Sequence, residues 1–365
     1  LIAFLPLALQ LLLEESQLQL QSRAASTPLL LGARGSALDL VMNSLYFDDE
    51  VPEIFSMQAA DELADSGLGY AIPLYIRFHT RAGPIVATTI DYFDFRQLQL
   101  AQGRMLALLG ECVIGADVAE QHGLVPGDSL VSSPDTLFDL AGTYPLKMTI
   151  SGVLARSHTA DDRAVFVDLK TAWVIEGLGH GHQDLDRTRD SSVILDRDAK
   201  SITANAKLFQ FTEISEQNRN SFHFHGDTSA YPLSAVLAVP NDTKAATLLR
   251  GRYLDDDSYH IVRPTEVIAG LLENIFRIKH VIDSVIAIVG FATVMAIILV
   301  FALSVRLRQR ELNTIFMLGC SRTTTASLVL AEIGIIVMAS AVISAALLVI
   351  VRLNAAELVT LLILN

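Results

Sequence analysis

Two segments of the chain, GHGHQD at 179–184 and FHFHGD at 222–227, both contain His-x-His-x-Asp. In an extended backbone the side-chain period is two, so His180, His182 and Asp184 share one face, as do His223, His225 and Asp227. Imidazole and carboxylate groups suit zinc, and a cluster of these residues predicts a zinc site in a non-cytosolic compartment. Solvated loop histidines are the competing reading. His79, His122, His158 and His260 are isolated and read as structural. A second group lies far downstream: Arg306, Arg308, Arg310 and Arg322 stand against Glu311 alone, and Glu332 follows inside an apolar run. An ionisable group in such a run is costly, so Glu332 reads as paired, as hydrogen-bonded to the preceding helix, or as reaching back to the interface.

The elements that carry these residues are unusually apolar. Hydrophobic residues make up 51% of the 365 and charged residues 18%, with a mean hydropathy of +0.42. From Ile282 to Ser304 the only charge is Asp283 at the edge. At 1.5 Å per residue this run measures roughly 34 Å, enough to cross a hydrocarbon core. Thr325–Val351 carries only Glu332 and predicts a second span. The arginine-rich turn between them marks the cytoplasmic side, which puts everything upstream of about residue 276 outside the cytoplasm. Residues 1–303 hold 22 basic and 37 acidic residues, and the chain's net charge of -13 argues against nucleic-acid binding. Two cysteines exclude a disulfide framework. Cys112 falls in the external part and Cys320 in the cytoplasmic turn, so the two cannot pair within one subunit.

These features predict an α+β external domain, mixed and with two subdomains, inserted between transmembrane helices. Residues 1–26 are expected to be the end of a first transmembrane helix and stalk, and 27–263 the external core domain. Residues 264–304 read as a stalk helix continuing into a second transmembrane helix, 305–324 as a cytoplasmic coupling turn, and 325–352 as a third span. Residues 353–365 read as an external link and the start of a fourth. Within the external domain GYAIPLYIRFHT and PIVATTIDYFDF predict two strands, being rich in β-branched and aromatic residues. ECVIG precedes a helical DVAEQHG with Gly123 as its C-cap, and LVPGDSLV, LKMTISGVLA and RAVFVDL predict further strands. Pro264 opens a helix in which Ile268, Leu271, Ile275, Ile278, Ile282 and Val285 recur at spacings of three and four.

The string RQRELNTIFMLGCSR, followed by the membrane Glu332, resembles the cytoplasmic turn of the MacB/FtsX-type ABC transporter permeases. QGRML at 102–106, ECVIGADVAEQHGLVPGD at 111–128 and SGVL…DDRAVFVDLKTAW at 151–173 resemble the periplasmic core domain of the same family. The resemblance implies a four-span inner-membrane permease subunit that transmits ATP-driven motion of a separate ABC ATPase to a periplasmic domain. Its substrate would be zinc or another metal, a peptide or a lipoprotein. It also implies a second permease, as a homo- or heterodimer, and a periplasmic binding or adaptor protein. Arg306, Arg308, Arg310 and Glu311, with Leu312, Phe316 and Met317, are the candidates for contact with the ATPase. A short amphipathic element there can place apolar knobs in a groove with charges at its rim.

No Gly-Lys pair occurs anywhere in the chain, so there is no phosphate loop for nucleotide; ATP belongs to the partner subunit. There is no Gly-x-Ser-x-Gly elbow and no His-Glu-x-x-His, and an enzyme is not expected. The alternative within the resemblance is a non-transporting transmembrane regulator that activates a periplasmic enzyme. A secondary transporter is disfavoured because neither complete span holds a second acidic or histidine residue apart from Asp283 at its edge.

Overall fold

The computed structural model describes residues 4–133, 145–181, 194–197, 202–204, 212–319 and 321–354. His182, Asp184 and Cys320 and the apolar stretch at 356–365 lie outside the described residues. The chain starts with α1 (Phe4–Ala25), β1 (Leu29–Ala33), α2 (Ala37–Tyr46), β2 (Phe55–Ser56), α3 (Gln58–Asp65), β3 (Gly69–Thr80) and β4 (Gly83–Thr88). It continues through α4 (Asp91–Arg96), β5 (Leu100–Gly103), β6 (Glu111–Ile114), α5 (Ala116–His122), β7 (Ser129–Val131), β8 (Lys147–Leu154), β9 (Val165–Asp168) and α6 (Leu169–Ile175). Next come β10 (Gly179–Gly181), β11 (Ile194–Arg197), β12 (Ile202–Ala204), β13 (Phe222–Phe224), β14 (Pro232–Leu233), β15 (Ala235–Pro240), α7 (Thr243–Arg252) and β16 (Tyr259–Val262). Three helices follow: α8 (Pro264–Leu307), α9 (Gln309–Met317) and α10 (Arg322–Leu353).

Ten strands form one sheet in the order β16-β1-β15-β3-β4-β9-β6-β8-β5, with β7 also on β8. The β4–β9 and β6–β8 pairs are parallel and the other pairs are antiparallel. The twelve-residue β3 joins the two halves, for its first half, Gly69 to Leu74, pairs with β15 and its second half with β4. The two subdomains expected from the sequence are therefore parts of a single compact unit, Arg23–Ile268. Central strands read as continuous apolar runs because both faces are covered. Val165 and Val167 of β9 join the main core with Ala59, Leu63, Ala172, Trp173 and Leu249 from α3, α6 and α7. Phe166, pointing the other way, packs against Phe47, Tyr92 and Phe93.

The strands expected over GYAIPLYIRFHT, LKMTISGVLA and RAVFVDL and the helix after ECVIG form where the sequence placed them, LVPGDSLV supplies the short β7, and Gly123 caps α5 in the left-handed conformation. The strand expected over PIVATTIDYFDF is shorter than predicted. It ends at Thr88, and Asp91–Arg96 is helical, with Asp91 and Asp94 in its first turn, where carboxylates suit the helix N-terminus. Tyr92 and Phe93 are buried as part of a helix, not of a strand.

The second unit comprises α1 through Ser22 and the helices after Ile268. α8 is unbroken over 44 residues from Pro264, as its first residue and its spacing predict. The apolar windows of α8 and of Leu330–Leu353 have mean hydropathies of 2.9 and 2.8, and none of their residues is buried. Phe291, Leu299, Ile335 and Met338 are 67–72% exposed. Apolar surface of that extent calls for a nonaqueous surrounding.

Candidate functional site

The turn between the two apolar helices is itself helical. Backbone bonds from Arg308 N–H to the Ser304 carbonyl (3.1 Å) and from Leu312 N–H to the Arg308 carbonyl (3.0 Å) lead α8 directly into α9. Ser321 caps α10 by accepting from the Thr324 N–H at 3.2 Å. Arg308 donates from Nη1 to both oxygens of Glu332, at 3.0 and 3.3 Å. One residue expected to meet the ATPase is thus engaged with the membrane carboxylate of its own chain. Arg306, Arg310 and Glu311 are exposed and make no ion pair among the described residues. Leu312 is half-buried and Met317 is 86% exposed. Phe316 lies on α9, and its side chain is outside the described set.

Arg23, near the end of α1, was not legible as special in the sequence. Its guanidinium donates to Asp161 at 2.6 and 2.9 Å and to the Tyr92 hydroxyl at 3.0 Å, and it also donates from Nε to the Leu45 carbonyl. Tyr92 in turn donates to Asp161 at 2.7 Å, as does Thr159 at 2.9 Å. Both charged side chains are buried. Burial alone would raise the Asp161 carboxyl, but the charge and hydrogen bonds of Arg23 outweigh it and hold it below the ordinary carboxylate value. Burial, aided by Asp161, pushes the Tyr92 phenol up to about 12. Arg96 hydrogen-bonds Ser26 and Thr27 at 3.0 and 2.9 Å, so α4 and the 3-10 turn at Ala160–Arg163 together clasp the end of α1.

The histidine segments meet as well. β10 pairs antiparallel with β13, placing Gly179 opposite Phe224, His180 opposite His223 and Gly181 opposite Phe222. Alternation sorts these residues onto two faces. On one face the Phe222 and Phe224 rings pack toward the core and lie over the glycines, where an added Cβ would come within 2.5–2.6 Å of the rings. On the other, His180, His223 and His225 gather with ring centroids 4.8–4.9 Å apart. Tyr231 stacks edge-on against Trp173 and donates to the His225 carbonyl at 2.8 Å, which fixes the end of the ribbon.

Asp227 does not join them, contrary to the period-of-two expectation. Gly226 takes φ 85°, the extended run stops, and Asp227 instead accepts from the Ser229 N–H at 3.0 Å, capping a 3-10 turn. Among the described residues the candidate metal-holding group is His180, His223 and His225, whose ligand atoms all lie within 4.8 Å of one another. Of the isolated histidines, His79 pairs with Asp49 at 2.9 Å, and His260 keeps a buried Nε2 with no hydrogen-bond partner among the described residues. Cys112 is buried, which pushes its thiol up to about 12.

A mixed α/β domain carrying two helices long and apolar enough to span a membrane defines a membrane protein with a large extramembranous domain. Residues 33–208 match the model of the MacB-like periplasmic core domain. It is similar to the periplasmic region of MacB from Actinobacillus actinomycetemcomitans at 10% identity, covering 70% of this chain and 98% of that one with a TM-score of 0.39. It is also similar to the extracellular domain of the noncanonic ABC-type transporter YknZ from Gram-positive bacteria at 12% identity, covering 64% and 98% with a TM-score of 0.35. No curated protein matches the chain.

Proposed function

We propose that this chain is a permease subunit of an ABC transporter in the bacterial inner membrane, and that it carries ATP-driven movement of a separate ATPase to its periplasmic domain. The observation that carries this reading is the continuity of α8, a single helix from Pro264, next to the last strand of the sheet, to Leu307, beside the short charged helix α9. An unbroken helix of this length moves as a stiff rod, so displacement at one end is felt at the other. The exposed charges of α9 and the exposed Met317 supply the rim and knob that a groove on an ATPase needs. A second permease chain completes the membrane part.

The test is reconstitution of the full chain with its ATPase in nanodiscs. Arg310→Glu, Glu311→Arg and Phe316→Asp are expected to insert normally and to lose stimulation of ATP hydrolysis. Wild-type coupling in Phe316→Asp would place the ATPase contact elsewhere. In spheroplasts an impermeant thiol reagent should label a cysteine introduced at the exposed Lys244 and spare Cys320; the opposite pattern would invert the topology.

A further inference from the structure

We propose that His180, His223 and His225 form a binding site for one divalent transition-metal cation of the zinc class, presented on the β10–β13 ribbon. The fold needs the other face of this ribbon: Phe222 and Phe224 pack against the core, and Gly179 and Gly181 make room for their rings. The opposite face of the same ribbon gathers His180, His223 and His225.

The geometry suits a metal. The three ligand atoms lie within 4.8 Å of one another, and a tetrahedral zinc with bonds of about 2.0–2.1 Å holds its ligands roughly 3.4 Å apart. Closing the site therefore asks for ring rotation, not a change of backbone. His180 and His223 are cross-strand partners, and His223 and His225 are two residues apart on one segment, so the ribbon sets all three Cα positions in advance. His223 Nδ1 lies 3.1 Å from the Ser221 carbonyl. The tautomer that donates there leaves Nε2 unprotonated, the form that a supporting hydrogen bond gives to a metal-bound histidine. His225 is exposed, which gives a cation access from solvent, while His180 and His223 are half-buried.

The donor set also selects the ion. Three imidazoles are the protein ligands of an open zinc site, with the fourth position left to water or another group. Calcium and magnesium require oxygen ligands, and Asp227, the carboxylate nearest in sequence, is engaged in capping a turn.

The site is independent of the ATPase, so its test uses the full chain alone, in detergent and stripped of metal. Calorimetric titration with zinc chloride should give one ion per chain with a Kd in the micromolar range or tighter, and calcium chloride should not compete. His180→Ala, His223→Ala and His225→Ala should each weaken binding at least about tenfold, since loss of even a supporting partner costs that much. Cobalt chloride should produce the visible absorption of a four-coordinate cobalt(II) site, lost in the same variants and kept in His122→Ala on α5. His225→Asn, at an exposed position, decides the matter if the inner variants melt early. Equal binding in wild type and His225→Asn, or zinc affinity in wild type no greater than in a His223→Ala/His225→Ala double variant, would overturn the proposal.

Discussion

Two arginine–carboxylate pairs occupy opposite environments in this chain. Arg23–Asp161 has side chains 6% and 2% exposed and is surrounded by the Tyr92 hydroxyl, the Thr159 hydroxyl and the Leu45 carbonyl. Arg308–Glu332 has side chains 54% and 55% exposed and, among the described residues, only its own two bonds. Desolvating the first pair is expensive, and the hydrogen bonds from the Tyr92 and Thr159 hydroxyls and to the Leu45 carbonyl help to offset that cost. The second lies on the surface of the apolar helices, with each charge answered by the other, and ties the end of α8 to α10. Similar chemistry thus acts as an anchor in one place and as a positional clip in the other.

Removing one member of the buried pair is the severest test of that contrast. Asp161→Asn leaves the Arg23 charge without its counterion and should destabilise the periplasmic domain by about 3–5 kcal/mol, read from urea unfolding by Trp173 fluorescence. Replacing both, as Arg23→Met with Asp161→Leu, should recover most of that loss. A single-variant loss under about 1 kcal/mol would erase the distinction. The second pair should behave differently: Glu332→Gln leaves an Arg308 that can reach the interface, and should cost less than Asp161→Asn does, measured in nanodiscs. The exchange Arg308→Glu with Glu332→Arg should retain ATPase coupling, whereas failure of the exchanged pair would show that the identity of each partner matters.

The smallest effect concerns pH. Burial, with Arg34 adding, lowers the pKa of His260 below the ordinary histidine value. A histidine held neutral by the fold contributes stability above its unfolded pKa of about 6.5, and loses it as the pH falls through the folded value. His260→Gln should therefore flatten the decline in stability between about pH 7 and 5. An unchanged slope would remove His260 as its source. Asp161, with its lowered pKa, contributes in the same direction only in far more acidic solution, below about pH 4.

The parts of this molecule that announce themselves in the sequence are those governed by local composition. α8 and α10 follow from apolar length, and β3 from its β-branched and aromatic residues. The α9 turn could also be anticipated from its charge, whereas a period of two sorts His180 and His223 onto faces of their own segments without showing that the segments pair. The Arg23–Asp161 anchor could not, since its members stand 138 positions apart and a lone arginine in a polar stretch looks solvated. Asp91–Arg96 was read as strand because its aromatic residues suit either element; the packing around Phe166 decides it. Asp227 was placed with the histidines by a period that one glycine interrupts.

β3 has a further consequence for how the periplasmic domain comes apart. Because one half of this strand is hydrogen-bonded to β15 and the other to β4, neither half of the sheet can open without exposing the backbone of the strand they share. The main core also draws side chains from both halves, including Leu29 and Val236 on one side and Ile114 and Val153 on the other. Amide protons of β1 and β6, at separate places in the sheet, should therefore exchange with solvent deuterium through one common opening event, with protection that rises and falls together.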